Sequence, residues 1–168
     1  LDWDRSRFDI EFGLRNGTTY NSYLIRGKQT ALIDGSHVKF KDIWFSELEK
    51  FCNLQTIDYL IVNHTEPDHS GLIGPLLEIN PNIKIFASKI AIKFLESQIH
   101  QPFDSVPVKS GDKLEIGINP ISGINHSFEF IIAPNLHWPD TIFTFDHGTQ
   151  ILYTCDGFGL HYCSDDVF

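Results

Sequence analysis

Apolar and polar side chains alternate at residues 8–12, which is the pattern of a strand with one buried face. Residues 18–25 and 30–34 are rich in β-branched and aromatic side chains, which favour strands. Asn16 and Gly17 are a turn signal ahead of the second segment. The chain is therefore predicted to begin with three hairpin-linked strands that run antiparallel.

Helical and strand patterns then alternate through the middle of the chain. Helices are predicted at residues 42–51, 72–79 and 88–98, and strands at residues 59–62 and 83–87. In the first helix, Ile43, Trp44, Leu48 and Phe51 recur at helical spacing and are expected to form its buried face. Ser88 is the predicted N-cap of the last helix.

Short strand patterns dominate the last third of the chain. They cover residues 106–108, 113–116, 128–133, 141–146 and 151–154. Pro107 restricts the first of them to a sheet edge, because proline has no N–H to donate. Residues 117–123 are predicted to form a surface loop and residues 147–149 a hairpin turn. Strands, then alternation, then strands again predict two sheets flanked by helices, of the α/β or α+β class.

Composition narrows the class of protein. The chain has 168 residues, enough for one sizeable core, and a net charge of −9, which argues against a nucleic-acid surface. It contains no apolar run of membrane-spanning length, and its three cysteines form no Cys-x-x-Cys pair, so a reducing, cytoplasmic compartment is expected. Because the chain lacks Met and begins at Leu1, it is expected to be a fragment of a longer protein.

Residues 63–71 concentrate metal-ligand side chains directly after the apolar run at residues 59–62. Two imidazoles and two carboxylates, His64, Glu66, Asp68 and His69, lie within six positions. Neutral imidazole and carboxylate are the common nitrogen and oxygen ligands of metal ions, and loops at strand ends often present such groups. The loop therefore predicts a metal site.

Two later strand ends repeat this arrangement. His137 follows the apolar residues 130–133, and Asp156 follows the strand predicted at residues 151–154. A dinuclear site needs ligands from more than one loop, so these residues are expected to complete it.

The order His-x-Glu-x-Asp-His resembles the signature of the metallo-β-lactamase superfamily, in which a second His usually stands where this chain has Glu66. With that replacement, with Leu-His-Trp-Pro-Asp around His137 and with Cys-Asp-x-Phe-Gly around Asp156, the chain resembles flavodiiron proteins. A carboxylate in place of an imidazole moves the metal preference from zinc toward iron or manganese.

The resemblance implies an α+β, metallo-β-lactamase-like four-layer αβ/βα sandwich. Residues 1–168 would form one di-iron domain, with the C-terminal part of that domain and a flavodoxin-like domain outside the chain. His64, Glu66 and His137 would bind one iron, Asp68 and His69 the other, and Asp156 would bridge them. The family has a further His ligand on the second iron, beyond the end of this chain.

The resemblance also implies an oxidoreductase that reduces dioxygen to water, or nitric oxide to nitrous oxide. The electrons would come from FMN in the flavodoxin-like domain, across a head-to-tail homo- or hetero-dimer, with the electron donor left open. This chain alone would bind no FMN. The alternative is a dinuclear hydrolase of the lactamase superfamily that uses metal-bound hydroxide, against which Glu66 argues.

Further side chains are candidates for supporting the site. Asp34 ends a predicted strand and is a candidate for orienting a metal-bound imidazole. Trp138 adjoins His137, Tyr20 is a candidate hydrogen-bond donor into the pocket, and His161 is a candidate neighbour of the site. The remaining histidines are expected in loops, exposed turns or helix ends: His37, His100, His126 and His147.

Overall fold

The computed structural model describes residues 1–7 and 13–164, which contain two β-sheets and four α-helices. The first sheet has five strands in the order β1 to β5. They are β1 (Tyr23–Arg26), β2 (Thr30–Ile33), β3 (Tyr59–Val62), β4 (Lys84–Ala87) and β5 (Asp104–Pro107). β1 and β2 pair antiparallel, and all the other neighbours pair parallel. The parallel strands therefore end at one common edge of the sheet.

The helices follow the strands that they cover. They are α1 (Lys41–Glu49), α2 (Pro67–Ser70), α3 (Ile73–Ile79) and α4 (Lys89–Gln98). The Ser88 side chain accepts a hydrogen bond from the Ala91 N–H, which confirms the predicted N-cap of α4. No helix in the described ranges combines the length and the apolar character that crossing a membrane requires.

The second sheet is an antiparallel meander of four strands. They are β6 (Lys113–Ile118), β7 (Asn125–Ile132), β8 (Ile142–Asp146) and β9 (Ile151–Tyr153). The register pairs Phe130 with Thr144 and Phe145 with Leu152. β6 continues past a register shift between Glu115 and Gly117, so the predicted surface loop begins two residues later than its pattern indicated.

Two cores lie on opposite faces of the first sheet. Leu60 and Val62 of β3 pack with the apolar side chains of α1, α3 and α4, whereas Ile61 packs with the second sheet against Phe128 and Phe130. Because side chains alternate along a strand, a strand buried on both faces has a continuous apolar run, as β3 has. The described residues form three layers, which are the helices, the first sheet and the second sheet. The predicted metallo-β-lactamase-like class with two facing sheets is confirmed.

Several predicted elements differ in detail. The strand predicted at residues 8–12 lies outside the described residues. Of residues 18–25, only the last three belong to a strand, the edge strand β1. In α1, Trp44 and Leu48 are buried as predicted, but Ile43 and Phe51 are exposed. α1 contacts the sheet along one side only and ends at Glu49, so Phe51 lies beyond the buried face.

The prediction that His126 is exposed is wrong. His126 is buried on the inner face of the second sheet, where its Nδ1 lies 2.7 Å from Asp146 Oδ2. Asp146 also accepts hydrogen bonds from the Thr149 hydroxyl and the Gly148 N–H in the turn between β8 and β9. This buried pair lies at the last residue of β8, whereas Ile142 is the first residue of that strand.

Candidate metal centre

The end of β3 places four of the predicted ligands in one short segment. His64 follows β3 directly, and Glu66 stands at the N-terminus of α2, which holds Asp68 and His69. The segment is held close to the end of β2, since the Gly35 N–H donates to the His69 carbonyl at 2.9 Å. A Cβ at residue 35 would lie 2.6 Å from that oxygen, so glycine permits this approach.

Asn63 joins the two sheets at this point. Its N–H and its side-chain amide donate to Asp34 Oδ1 and Oδ2 at 2.7 and 3.1 Å. Its carbonyl accepts from the Ile142 N–H at 2.9 Å, and its Oδ1 accepts from the Thr144 hydroxyl at 2.7 Å. Because Asn63 is buried and fully paired, the residue before His64 is fixed to both sheets.

The second sheet contributes the remaining two predicted ligands. His137 lies in the loop between β7 and β8 with a φ of 99°, and Asp156 lies in the turn after β9. Both reach the same end of the sandwich as His64.

One group of ligand atoms surrounds Glu66. His64, Glu66, His137 and Asp156 each offer an atom within 4.8 Å of the others. Glu66 Oε2 lies 3.3 Å from His64 Nε2 and 3.2 Å from His137 Nε2, and Asp156 Oδ2 lies 3.4 Å from His137 Nε2. These separations are those of side chains that converge on a common point.

A second group lies beside the first and shares Asp156. His69, Cys155 and Asp156 offer atoms within 4.8 Å of one another. His69 Nε2 lies 2.9 Å from Asp156 Oδ1 and 3.5 Å from Asp68 Oδ2. The two carboxylate oxygens of Asp156 therefore face different groups, which is the arrangement that a bridging carboxylate requires.

The donor atoms of the second group fit a metal ion. Asp68 Oδ1 and both ring nitrogens of His69 are buried and have no hydrogen-bond partner among residues 1–7 and 13–164. His69 Nε2 approaches Asp156 but not in hydrogen-bond geometry. Buried polar atoms without a partner are costly, and a cation that accepts their lone pairs removes that cost.

The electrostatics of the site reflect its dense carboxylates. Burial opposes a charge on His64, but hydrogen bonds with Asp140 and Glu66 outweigh it and raise the pKa of His64 to about 9. Burial raises the pKa of Asp68, and burial with the carboxyl groups of Asp34 and Asp156 raises the pKa of the Cys155 thiol. Divalent cations would compensate this negative charge.

Asp140 is an important residue of the site that the sequence interpretation missed. It is fully buried, and its Oδ1 lies 3.1 Å from His64 Nδ1. Its Oδ2 accepts from the Thr65 N–H at 2.8 Å and from the Thr65 hydroxyl at 2.6 Å. This contact orients the ring of His64 so that Nε2 faces Glu66. The sequence signals for it are its place as the last residue of the Leu-His-Trp-Pro-Asp motif and its position directly before a predicted strand.

The other predicted candidates occupy different places. Asp34 is buried and contacts Asn63, so it acts on His64 through the backbone. The Trp138 ring lies edge-on to the His64 ring at 5.0 Å, and His161 contacts the Thr18 hydroxyl at 3.0 Å. Both line a cavity of about 530 Å³ over the site. Tyr20 was expected in this pocket, but its hydroxyl contacts Arg5 and Asp2 and its ring lines a second cavity, against α1.

The two facing sheets and the mixed imidazole–carboxylate cluster define a metallo-β-lactamase-like domain with a candidate dinuclear centre. The family described as ODP family beta lactamase matches residues 18–166, and the chain belongs to this family. Its relatives and structural neighbours are flavodiiron and diflavin flavoproteins, as the sequence resemblance predicted.

Two curated relatives illustrate the similarity. Diflavin flavoprotein A 1 from Synechocystis sp. is 57% identical over 168 residues, which is 100% of this chain and 28% of the relative. The anaerobic nitric oxide reductase flavorubredoxin of Aliivibrio fischeri is 39% identical over 169 residues, which covers 99% of this chain and 33% of the relative. The chain thus spans about a third or less of these relatives.

Solved structures agree with the fold. The flavodiiron protein from Giardia intestinalis superposes with a TM-score of 0.89 at 29% identity, covering 99% of this chain and 39% of that one. Rubredoxin oxygen:oxidoreductase from the anaerobe Desulfovibrio gigas superposes with a TM-score of 0.86 at 30% identity, covering 99% and 40%.

Proposed function

We propose that this chain is the di-iron-binding part of an oxidoreductase that reduces dioxygen to water or nitric oxide to nitrous oxide. The observation that carries the proposal is the pair of ligand groups joined by the two oxygens of Asp156. The relatives named for an activity are a nitric oxide reductase and an oxygen:oxidoreductase. They support a reductase over the alternative of a dinuclear hydrolase.

The ligand chemistry supports iron as the metal. One position takes His64, Glu66 and His137, and the other takes Asp68 and His69, with Asp156 between them. Carboxylates stabilise the ferric state better than further imidazoles would, and they lower the relative preference for zinc. When bound, a pair of ferrous ions supplies electrons and adjacent binding positions for the gas.

The protein residues hold and shield this centre. Asp140 keeps the proton on Nδ1 of His64, which leaves the Nε2 lone pair free for a metal. Trp138 packs on His64, and the cavity of about 530 Å³ has room for a small gas molecule and for ordered water.

We further propose that the electrons come from FMN in a part of the protein outside this chain. Reduction of dioxygen to water takes four electrons, and oxidation of two ferrous ions to ferric supplies only half of them. A flavodoxin-like domain that meets this site across a head-to-tail dimer would supply the rest. The support is that the relative named diflavin flavoprotein is far longer than this chain.

The test of the metal centre is its stoichiometry. The chain is loaded with ferrous iron under anaerobic conditions, and iron per chain is measured in the unmodified protein and in three variants. Asp156→Ala should lose both irons, because the bridge contacts both groups, whereas His137→Ala should lose mainly one. His147→Ala is the control, since His147 is partly exposed and contacts Glu129 away from the site.

Full iron content in Asp156→Ala would refute the bridge. Retention of zinc alone from an equal mixture, together with hydrolysis of a lactam or thioester, would refute the reductase proposal. Consumption of dioxygen and of nitric oxide is then compared after chemical reduction. The chain alone should react once, and repeated turnover without a flavin-bearing partner would contradict the proposed electron source.

A further inference from the structure

Cys155 lies inside the second ligand group but has no place in the ligand set proposed above. It follows β9 directly, precedes Asp156 and is half-buried at the wall of the cavity. Its Sγ belongs to the cluster in which all ligand atoms lie within 4.8 Å of one another, with His69 and Asp156 as the other members.

The backbone holds this thiol in place. Cys155 has a φ of 49°, a conformation that residues other than glycine rarely adopt, and the Gly157 N–H closes the turn on the Thr154 carbonyl at 2.9 Å. A Cβ at Gly157 would lie 2.7 Å from the ring of Phe143, so the turn is pressed against the second sheet. A strained residue held by its surroundings is a feature of functional sites.

His69, beside Cys155, also indicates that a ligand binds at this place. Its side chain is 5% exposed, and neither ring nitrogen has a hydrogen-bond partner within the described part of the chain. Asp68 Oδ1 is likewise buried and unpaired there. Imidazole, carboxylate and thiol together around unpaired buried atoms form the donor set of a divalent cation.

We propose that the Cys155 thiolate is a ligand of the metal ion held by Asp68, His69 and Asp156. The proposal rests on the proposed function, because it concerns the second metal position of that centre. On binding, the thiol proton passes to solvent and a sulfur lone pair binds the metal, with no change of oxidation state. Zinc–ligand distances are about 2.3 Å to sulfur and about 2.0 Å to nitrogen, so a sulfur and a nitrogen on one ion are at most about 4.3 Å apart. The ligand atoms of this cluster all lie within 4.8 Å of one another.

A soft thiolate gives this position a different metal preference from the other one. Sulfur ligands favour cobalt and zinc over manganese, whereas the group around Glu66 offers only nitrogen and oxygen. The two positions should therefore be distinguishable by their ligand spectra.

Cobalt(II) is the probe, because a thiolate ligand gives it an intense charge-transfer band in the near ultraviolet that nitrogen and oxygen ligands do not give. The metal-free chain is titrated anaerobically with cobalt chloride as the unmodified protein, as Cys155→Ser and as Cys52→Ser. Cys52 packs at the helix-covered core and is the matched control. The band should appear in the unmodified chain and in Cys52→Ser and vanish in Cys155→Ser, with at least about tenfold weaker binding of one cobalt.

Zinc-edge X-ray absorption on the unmodified zinc-loaded chain tests the same contact without a variant. A sulfur neighbour at about 2.3 Å would support the ligand. Cobalt bound with visible ligand-field bands but no charge-transfer band would overturn the Cys155 proposal and leave the metal centre standing. A chain that binds no metal would overturn both.

Discussion

The hydrogen bond between Asp140 and His64 provides the sharpest test of how the fold prepares the metal centre. Asp140 is fully buried and accepts from Thr65 through Oδ2, which leaves Oδ1 for the Nδ1–H of His64. In Asp140→Asn the amide oxygen can accept the hydrogen bonds from Thr65, and the amide N–H then faces His64. The imidazole must then give up its Nδ1 proton and keep one on Nε2, which is the predicted metal ligand atom.

The magnitude follows from these contacts. Loss of a carboxylate that orients a metal-bound imidazole costs about 10- to 100-fold in metal affinity, or roughly 1.4 to 2.7 kcal/mol. The metal-free variant should lose less stability than a buried polar group without any partner would cost. The reason is that the Nε2–H of His64 can donate to Glu66 Oε2, 3.3 Å away. We expect a loss of about 1–3 kcal/mol in the free energy of unfolding.

Competition with a chromophoric chelator measures the affinity, and chemical denaturation of the metal-free protein measures stability. Asp146→Asn is the matched control, since Asp146 is equally buried and contacts Nδ1 of a buried histidine at 2.7 Å, away from the ligands. It should lose stability but keep its metal affinity. Unchanged affinity in Asp140→Asn, or an equal loss in Asp146→Asn, would refute the reasoning.

Three further predictions follow from the site and the core. Glu66→His replaces the oxygen donor between two imidazoles and should raise the zinc-to-iron ratio retained from an equal mixture, measured by elemental analysis; an unchanged ratio would count against it. Burial raises the pKa of Asp34 from 3.8 to about 6, so its stabilising contribution is complete below about pH 4 and is lost as the pH rises through about 6. The unfolding free energy of the metal-free chain, taken relative to that of Asp34→Asn at the same pH, should therefore fall by about 2–3 kcal/mol between pH 4 and 7, and parallel pH profiles would contradict this. Leu60→Ala removes a fully buried side chain between the first sheet and its helices and should cost about 2–5 kcal/mol, whereas exposed Ile43→Ala should cost much less in the same denaturation assay.

The sequence alone predicted the two-sheet class and the six converging side chains, and the reason is local. Four of the ligand residues follow β3 of the first sheet, and His137 and Asp156 follow β7 and β9, which run in the same direction because β8 pairs antiparallel with both. The N-cap at Ser88 and the edge position of Pro107 likewise follow from chemistry within a few residues. Such features can be predicted from the local sequence without knowledge of contacts between distant residues.

Only the tertiary structure decided which groups support those ligands. Asp140 lies 76 positions from His64, and Thr144 lies 81 positions from Asn63, so no local pattern links them. His126 was predicted to be exposed because no neighbouring residue in the sequence indicates its contact with Asp146, 20 positions away. Buried polar groups form hydrogen bonds with whatever donor or acceptor the packing places beside them. In this protein, the packing of the two sheets against each other determines those pairs.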